Sequence, residues 1–368
     1  MPSIAIIGTR GYPSYYGGFE TAVRQLAPFL AQRGWDVTVY GRPGATKSES
    51  SATVNSILSV TTKGFETRSL STLSYGLTAS LDALRRRPDV ALVMNVANGY
   101  WLPLLARAGI PTVVNVDGIE WHRAKWGPAA KAVFRGGARL TARNAHTLIV
   151  DAKAIGDYWI NRFGRSGVYI PYGGSVPRGA SLPPLGLTHR GYVLMVARFV
   201  PENTVPEFLD AIPALAGRWP VVVVGSSGYG GALDDRVAGL ASQHDNVRWL
   251  GHIEDDQLLS DLWEHAGAYF HGHSVGGTNP ALVQAMASGA PVVALDTVFN
   301  REVLESAGKF VARDASAIAQ AIAEVMNSSG IQESLSRVAR LRAEDGFDWA
   351  RVCSLYESAL TSAIGEPR

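Results

Sequence analysis

The chain has 368 residues, a formal charge of only +2 and a single cysteine, Cys353. This length predicts two domains rather than one, and the near-neutral charge excludes nucleic acid as a bulk electrostatic partner. One cysteine excludes a disulfide framework and a cysteine zinc site, which favours a reducing compartment. The N-terminus lacks a signal-peptide pattern, and no apolar run reaches the roughly 18 residues of a membrane span. We therefore expect a cytoplasmic protein that is not integral to a membrane.

Short runs rich in valine and isoleucine recur along the first half of the chain, with helical stretches between them. Near-continuous apolar runs of this length are typical of strands buried on both faces of a parallel sheet. The polar stretch from Gly44 to Ser59, rich in serine and threonine, predicts a loop or an irregular segment. The predicted strands are Ile4–Ile7, Val37–Tyr40, Val90–Met94, Thr112–Val116 and Thr147–Val150.

The same rhythm restarts in the second half, after glycine, proline and serine concentrate between Gly174 and Thr188. The strands predicted there are Tyr192–Val196, Val221–Val224, Val247–Leu250, Ala268–Phe270 and Pro291–Leu295. Alternating strands and helices in each half predict two doubly wound, Rossmann-like α/β domains, over 1–175 and 188–345. Ligands of such sheets bind at the carboxyl ends of the strands, so two facing sheets would share one cleft.

The last segment, 346–368, predicts an amphipathic helix that carries Trp349, Val352, Leu355 and Tyr356 on one face. Two placements are open for this helix. It packs back on the N-terminal domain, or it is a plain terminal helix of the second domain. The sequence alone does not separate them.

Glycine clusters follow the first strand of the first domain and a later strand of the second, each directly before a predicted helix. Glycine allows close approach of the backbone to a ligand, and a helix start offers N–H groups to an anion. The clusters match neither a dinucleotide fingerprint nor a Walker A loop. We expect anion-binding loops, with structural turns as the alternative. The residues concerned are Gly17 and Gly18 in the first cluster and Gly276, Gly277, Thr278 and Asn279 in the second.

Three further positions carry chemistry that suits such a site. Arg198 follows a strand, and a guanidinium is well suited to a diphosphate, although a surface ion pair with Glu202 is the alternative. Asp117 ends an apolar run, where catalytic residues of α/β folds tend to lie, although Asp-Gly is also a common turn. His271 and His273 share a face, but no cysteine or carboxylate cluster accompanies them. We therefore predict hydrogen bonding or packing there, and no metal site.

A basic stripe is predicted on one helix, because Lys131, Arg135, Arg139 and Arg143 recur every four residues. No aspartate or glutamate occurs between Glu120 and Asp151. Such a stripe suits an anionic membrane surface or a diphosphate-bearing acceptor, while a solvated helix face is the commoner explanation of a charge run. Peripheral attachment to the inner face of the plasma membrane therefore stays open.

Three stretches together resemble the family 4 glycosyltransferases of the GT-B fold, and most closely the bacterial rhamnosyltransferase-like branch of cell-envelope polysaccharide synthesis. They are Gly8–Thr21, Val114–Trp126 and Gly272–Pro280, and the likeness runs over nearly the full length. The resemblance implies two Rossmann-like domains facing across a cleft. It also implies a retaining transfer, without metal or cofactor, of a sugar such as rhamnose. The donor would be a nucleoside-diphosphate sugar such as dTDP-rhamnose, and the acceptor a saccharide or lipid-linked saccharide.

The same resemblance implies roles for individual residues. Asp117 falls near the transferred sugar and Arg198 on the donor diphosphate, so both are predicted catalytic residues. Asn203 stands where a lysine often occurs and is interpreted as a polar donor contact. The other predicted donor-binding residues are Gly17 and Gly18 at the phosphates, His252 and Ile253 at the nucleobase, and His273, Gly276, Gly277, Thr278, Asn279 and Gln284.

The Glu-x7-Glu motif of the family maps to Gly276 and Gln284, so both carboxylates are absent. The second glutamate normally accepts hydrogen bonds from the ribose hydroxyls. An amide at Gln284 accepts them without charge, and hence more weakly, which is compatible with a deoxyribose donor. Two alternatives remain open. One is a sugar-nucleotide epimerase of similar architecture. The other is a non-catalytic binding subunit, which is suggested by the presence of Gln284 where the family has a glutamate.

Overall fold

A computed structural model describes residues 1–14, 17–44, 52–54, 56–65, 71–123, 126–177, 182–228 and 230–365. The chain divides into two compact units. Met1–Tyr172 and Trp349–Arg368 form unit 1, and Gly173–Asp348 forms unit 2. Part of the predicted boundary segment, residues 178–181, lies outside the described residues.

Unit 1 contains an eight-stranded sheet in the order β3-β4-β2-β1-β5-β6-β7-β8. Its strands pair in parallel except for β3 with β4. The strands are β1 Ser3–Ile7, β2 Asp36–Gly41, β3 Ala52–Val54, β4 Ile57–Thr61, β5 Val90–Met94, β6 Thr112–Asn115, β7 Thr147–Val150 and β8 Val168–Tyr169. The helices between them are α1 Gly18–Gln32, α2 Ser71–Arg86, α3 Leu102–Arg107, α4 Pro128–Asn144 and α5 Lys153–Phe163.

The prediction of an irregular segment from Gly44 to Ser59 is wrong where the structure describes it. Strand β3 pairs antiparallel with β4, and β4 pairs parallel with β2. The composition misled because a polar side chain fills a buried position: Ser59 is 6% exposed and lies between Ile57 and Val60, which are also buried. Residues 45–51 and 55 of this segment lie outside the described residues.

Unit 2 contains a six-stranded, fully parallel sheet in the order β11-β10-β9-β12-β13-β14. The strands are β9 Val193–Val196, β10 Val221–Val224, β11 Val247–Trp249, β12 Ala268–His271, β13 Val292–Leu295 and β14 Gly308–Val311. The helices are α6 Val205–Ala216, α7 Ala232–Gln243, α8 Asp256–His265, α9 Pro280–Ala287, α10 Val298–Leu304, α11 Ala315–Met326 and α12 Ser329–Gly346.

Strand β10 explains why near-continuous apolar runs fold into these sheets. Val222 and Val224 belong to the core cluster on one face of the unit 2 sheet, and Val221 and Val223 to the cluster on the other. Because helices cover both faces, a strand gains by being apolar at every position. All four valines are at most 3% exposed.

In each sheet the order in which the chain adds strands reverses once, and this reversal determines where a ligand site can form. In unit 2 the chain starts at β9, moves to the β11 edge, and then crosses to β12 on the other side of β9. In unit 1 the equivalent break lies between β1 and β5. At such switch points the loops that leave neighbouring strands diverge, which opens a crevice at their carboxyl ends.

The last helix, α13, spans Trp349–Gly365 and is part of unit 1. Its buried side chains belong to the same core cluster as β1, α1 and β2, and Leu355 packs at the edge of that cluster. The indole N–H of Trp35 donates to Glu357 at 3.1 Å, which ties the helix to the end of α1. The buried residues of α13 are Trp349, Val352, Cys353, Tyr356, Ala359, Leu360 and Ala363.

None of the helices in the described part of the chain combines the length and the apolar character needed to cross a bilayer.

Candidate functional site

The switch point of unit 2 brings two of the predicted elements together. Arg198 follows β9, and the glycine-rich loop follows β12. The two strands are paired in parallel, with Met195 opposite Phe270, so both connections leave the same edge of the sheet side by side. The Arg198 side chain is exposed at this edge. An exposed guanidinium next to a glycine loop is an arrangement suited to a phosphate group.

The turn after β9 is held from inside by Asn203. This residue is 2% exposed, and its amide nitrogen donates to the carbonyl of Arg198 at 2.8 Å. Sequence reasoning predicts Asn203 as a donor contact, but the structure places its side chain in the interior of the turn. Its visible effect is to fix the backbone that carries Arg198.

The first residues of the glycine-rich loop are anchored at three consecutive points. The Thr204 hydroxyl donates to the Gly272 carbonyl at 2.6 Å, and the Asn300 amide donates to the His273 carbonyl at 3.0 Å. The backbone N–H and the hydroxyl of Ser274 both donate to the Glu202 carbonyl, at 2.9 and 2.8 Å. Sequence reasoning missed Thr204 and Asn300, because both lie far along the chain from the loop they hold.

The end of the loop is a well-formed helix start. Gly276 has a φ of 118°, a conformation that side chains disfavour. The Asn279 side chain accepts a hydrogen bond from the Ala281 N–H at 2.9 Å and so caps α9, whose first residue is Pro280. Thr278 is 3% exposed, whereas Gly276, Gly277 and Asn279 are half-buried. The loop that leads into the helix start is therefore partly open to solvent.

His271 and His273 stack on one another, with ring centroids 4.7 Å apart and planes 10° from parallel. The Tyr269 hydroxyl lies 3.1 Å from Nδ1 of His271. Burial lowers the pKa of His271 to about 3, so this imidazole is neutral at any physiological pH. In the described residues, no three histidine, cysteine or carboxylate side chains meet in a group that could hold a metal ion.

Gln284 uses both ends of its amide on one backbone position. Its Nε2 donates to the carbonyl of Ser175 at 2.8 Å, and its Oε1 accepts from the N–H of Ser175 at 2.9 Å. Ser175 lies close to where the chain enters unit 2. The amide supplies a donor and an acceptor together, whereas an ionised glutamate has only acceptors and could accept from the Ser175 N–H but not donate to the Ser175 carbonyl.

The predicted nucleobase segment follows β11, two strands away from β9 on the same edge of the sheet. His252 is exposed, whereas Ile253 packs against the core of unit 2. The carbonyl of Gly251 accepts a hydrogen bond from the Gly225 N–H at 2.6 Å, which joins the ends of β10 and β11. The predicted segment therefore starts at a backbone contact between two strand ends and exposes the His252 imidazole.

In unit 1, the loop between β1 and α1 is organised by Glu20. Its carboxylate accepts a hydrogen bond from the Arg10 N–H at 2.9 Å. Gly17 has a φ of 124°, which side chains disfavour, and an added Cβ would come within 2.5 Å of the same carboxylate. Burial raises the pKa of Glu20, while hydrogen bonds and the charges of Arg10 and Arg42 oppose the shift. The predicted Gly17 and Gly18 open α1, and Tyr15 and Tyr16 lie outside the described residues.

Asp117 follows β6, two strands from β1 at the carboxyl edge of the unit 1 sheet. It is half-buried, with a φ of 57°, and its N–H donates to Oδ1 of Asn115 at 2.9 Å. The Asn115 amide in turn donates to the Tyr356 hydroxyl at 2.7 Å, which links this turn to α13. Burial raises the pKa of Tyr172, and the charges of Asp117 and Asp151 add to that effect. Several polar groups thus converge at this edge.

The predicted basic stripe lies on α4. Arg135, Arg139 and Arg143 are exposed, and Lys131 is half-buried. Burial lowers the pKa of His122, and the charges of Arg135 and Lys131 lower it further, so this ring lies next to the stripe. Lys125, a basic residue that precedes this helix in the sequence, lies outside the described residues.

Comparison with known proteins identifies the family. A model described as "Glycosyl transferase 4-like domain" matches residues 17–173, and one described as "Glycosyl transferases group 1" matches residues 190–328. Together they match about four-fifths of the chain. The chain belongs to the family 4-like glycosyltransferases. The two matched regions of this glycosyltransferase contain Gly17 and Asp117 on one side and Arg198, His273 and the other unit 2 positions on the other.

Individual relatives agree with this assignment. The chain is 28% identical over 253 residues to the phosphatidyl-myo-inositol mannosyltransferase of Mycobacterium leprae, which takes in 63% of this chain and 64% of that protein. The chain thus matches less than two thirds of that relative's length.

Two solved structures share the fold. Sucrose-phosphate synthase from Thermosynechococcus elongatus is similar with a TM-score of 0.82 at 20% identity, over 98% of this chain and all of that one. The Anabaena protein HepE in complex with UDP is similar with a TM-score of 0.73 at 18% identity, over 98% of this chain and 100% of that one. The predicted fold class, two Rossmann-like α/β domains of the GT-B type, is confirmed.

Proposed function

We propose that this glycosyltransferase moves a sugar from a nucleoside-diphosphate donor to a hydroxyl group of a saccharide acceptor. The observation that carries the proposal is the arrangement at the β9–β12 edge. There Arg198, with an exposed guanidinium, follows β9, and the neighbouring strand β12 is followed by the glycine loop that leads into α9. A cation and a helix start at one edge offer a binding site for a group with two negative phosphates.

The chemistry follows from what these groups stabilise. The bond between the anomeric carbon and the diphosphate oxygen breaks, and the acceptor oxygen forms the new glycosidic bond as it loses its proton. Negative charge grows on the departing diphosphate. Arg198 and the N–H groups before α9 are positioned to offset it without a metal ion or a cofactor. We infer retention of the anomeric configuration from the family resemblance, and we place Asp117 beside the transferred sugar on the same ground.

For the donor we propose a deoxyribose nucleotide with rhamnose, as in dTDP-rhamnose. The engagement of Gln284 by Ser175 supports this choice, because it leaves the amide little capacity to bind a ribose hydroxyl. Similar proteins point to other nucleotides and sugars: HepE is described in complex with UDP, and the mycobacterial relative is named a mannosyltransferase. A donor panel therefore has to compare bases as well as sugars.

For the acceptor we propose a saccharide of the cell envelope, free or linked to a lipid diphosphate. The exposed arginines of α4 and the neighbouring His122 support a peripheral contact with an anionic membrane surface. We therefore propose a cytoplasmic protein that contacts the inner face of the plasma membrane, where it would meet a lipid-linked acceptor.

Thermal unfolding with a panel of dTDP, UDP and GDP sugars tests the donor proposal. At about 100 times its Kd, a true donor stabilises the folded protein by about 2.7 kcal/mol. We expect dTDP-rhamnose to give the largest shift and the variant Arg198→Ala to lose it. Arg218→Ala is the matched control, because Arg218 is also an exposed arginine of unit 2 but precedes β10 at the opposite edge of the sheet.

The panel has clear contrary outcomes. A larger shift with a UDP or GDP sugar would remove the rhamnose proposal and keep the transferase. Transfer by Arg198→Ala at the rate of Arg218→Ala would remove the diphosphate role of Arg198. Conversion of the donor sugar in the absence of any acceptor would indicate an epimerase instead.

A further inference from the structure

Thr204 combines two features that rarely occur together. It is fully buried, at 0% exposure, and its backbone lies in the left-handed region, with φ 55° and ψ 30°. A β-branched residue is disfavoured there, because its side chain crowds the adjacent carbonyl. Such a conformation persists only when the surroundings impose it, and it often marks a functional position. The residue occupies the N-cap position directly before α6, yet its side chain makes no cap bond with that helix.

The hydroxyl of Thr204 is instead used on the loop before α9. It donates to the Gly272 carbonyl at 2.6 Å. The contact between the two segments is tight, because a side chain at Gly272 would come within 2.3 Å of the Asn203 carbonyl oxygen. The turn that carries Arg198 and the loop that opens α9 therefore pack backbone against backbone, and the Thr204 hydroxyl binds the carbonyl of the Gly272 peptide.

That one bond determines where the next N–H points. A trans peptide is planar, and its C=O and N–H point in opposite directions. Because the Gly272 carbonyl faces Thr204, the His273 N–H is turned away from it. The following peptide is fixed in the same manner, with its carbonyl on Asn300 and its N–H on the Glu202 carbonyl. The directions of the His273 and Ser274 N–H groups are thus set by contacts with the segments behind the loop.

We propose that Thr204 is a positioning residue for donor binding: its strained conformation and its hydroxyl hold the loop 272–279 in the orientation that receives the diphosphate. The proposal rests on the proposed function, since it assigns a role within the same site. It adds a residue whose side chain touches no substrate. It also predicts a specific consequence, namely that loss of the hydroxyl weakens donor binding beyond any loss of stability.

The test compares Thr204→Val, Thr204→Ser and Tyr192→Phe. Valine keeps the β-branched shape and removes the hydroxyl, whereas serine keeps the hydroxyl. Tyr192 is the matched control, because it is equally buried in unit 2 and its hydroxyl also donates to a backbone carbonyl, that of Leu262, at 2.6 Å. The first readout is hydrogen exchange of the amides of residues 272–278. The second is the pair of constants kcat and KM for the donor, at a temperature where near-ultraviolet circular dichroism shows every variant folded.

We expect Thr204→Val to speed exchange in the loop and to raise the donor KM by about tenfold, the effect of one lost hydrogen bond of ordinary strength. Thr204→Ser should restore both readouts, and Tyr192→Phe should change neither. Wild-type exchange and KM in Thr204→Val would overturn the proposal, as would equal losses in Thr204→Val and Tyr192→Phe. Failure of the wild type to bind any nucleotide sugar would instead refute the proposed function, and the exchange readout would still judge the loop.

Discussion

The substitution Gln284→Glu separates two roles for the position where the sequence departs from its family. In the structure the amide bonds to both the carbonyl and the N–H of Ser175, at 2.8 and 2.9 Å. A carboxylate keeps the bond from the N–H and loses the bond to the carbonyl. It also turns an oxygen toward the carbonyl oxygen of Ser175. We therefore expect the glutamate variant to loosen the segment that enters unit 2.

The size of the effect follows from the bonds involved. A neutral hydrogen bond contributes about 1 kcal/mol, and the repulsion between two oxygens adds to its loss. A total of about 1.5 kcal/mol lowers the unfolding midpoint of a domain of this size by roughly 3–6 °C. The alanine variant loses both bonds without repulsion and should fall in the same range. The partial exposure of Gln284 keeps both values modest.

Calorimetry of Gln284→Glu, with Gln243→Glu as control, measures this. Gln243 is an exposed glutamine of unit 2, so it undergoes the same change of charge at a site without the clamp. Binding of dTDP and UDP to each variant is measured alongside. The reasoning is refuted if Gln284→Glu unfolds at the wild-type midpoint and binds UDP more tightly. That result would mean that the side chain reads the ribose rather than the backbone of Ser175.

Two further predictions concern unit 1. Glu20→Ala leaves the Arg10 N–H without its acceptor and should destabilise the protein by about 1–3 kcal/mol, whereas Glu20→Gln keeps an acceptor oxygen and should cost far less. The pKa of Glu20 is raised in the folded state. Its contribution to the free energy of unfolding is therefore full at low pH and is lost as pH rises through that pKa. Glu20→Gln should lose this pH dependence in calorimetric titration, and an unchanged profile would contradict the assignment. Neutralising Arg135 and Arg139 to glutamine should weaken binding to anionic vesicles by about 2 kcal/mol, roughly 30-fold, in a sedimentation assay. Equal binding of that variant and the wild type would indicate that the basic face of α4 is a solvated surface and not a membrane contact.

The strands could be predicted wherever burial on both faces of the sheet makes the local sequence apolar at every position. The four valines of β10 face two cores in alternation, so the sequence there is apolar at every position and the strand is unambiguous. Strand β14 was missed because it lies at the edge of its sheet and carries Lys309 among half-buried residues. Strand β4 was missed because its buried Ser59 looks like a loop residue when only composition is considered.

The candidate site divides along the same principle. Its glycine loops and Arg198 were predicted because each is a local pattern next to a strand. The residues that hold them were not, because a hydrogen bond between distant parts of the chain leaves no periodicity. Gln284 and Ser175 are 109 residues apart, and Thr204 and Gly272 are 68 apart. The sequence suggested that Gln284 contacts the ligand, whereas in the structure its amide binds the backbone of Ser175.

The membership of α13 in unit 1 has a consequence for how the protein is made. The core that contains Leu30 and Trp35 is completed by side chains from the last segment of the chain. On the ribosome, the whole of unit 2 leaves the exit tunnel before that helix does. At about 5–20 residues per second, unit 1 waits roughly 10–35 s for its closing element. During that interval the apolar face of α1 that α13 covers stays exposed, whereas unit 2 already has its whole sequence available for folding.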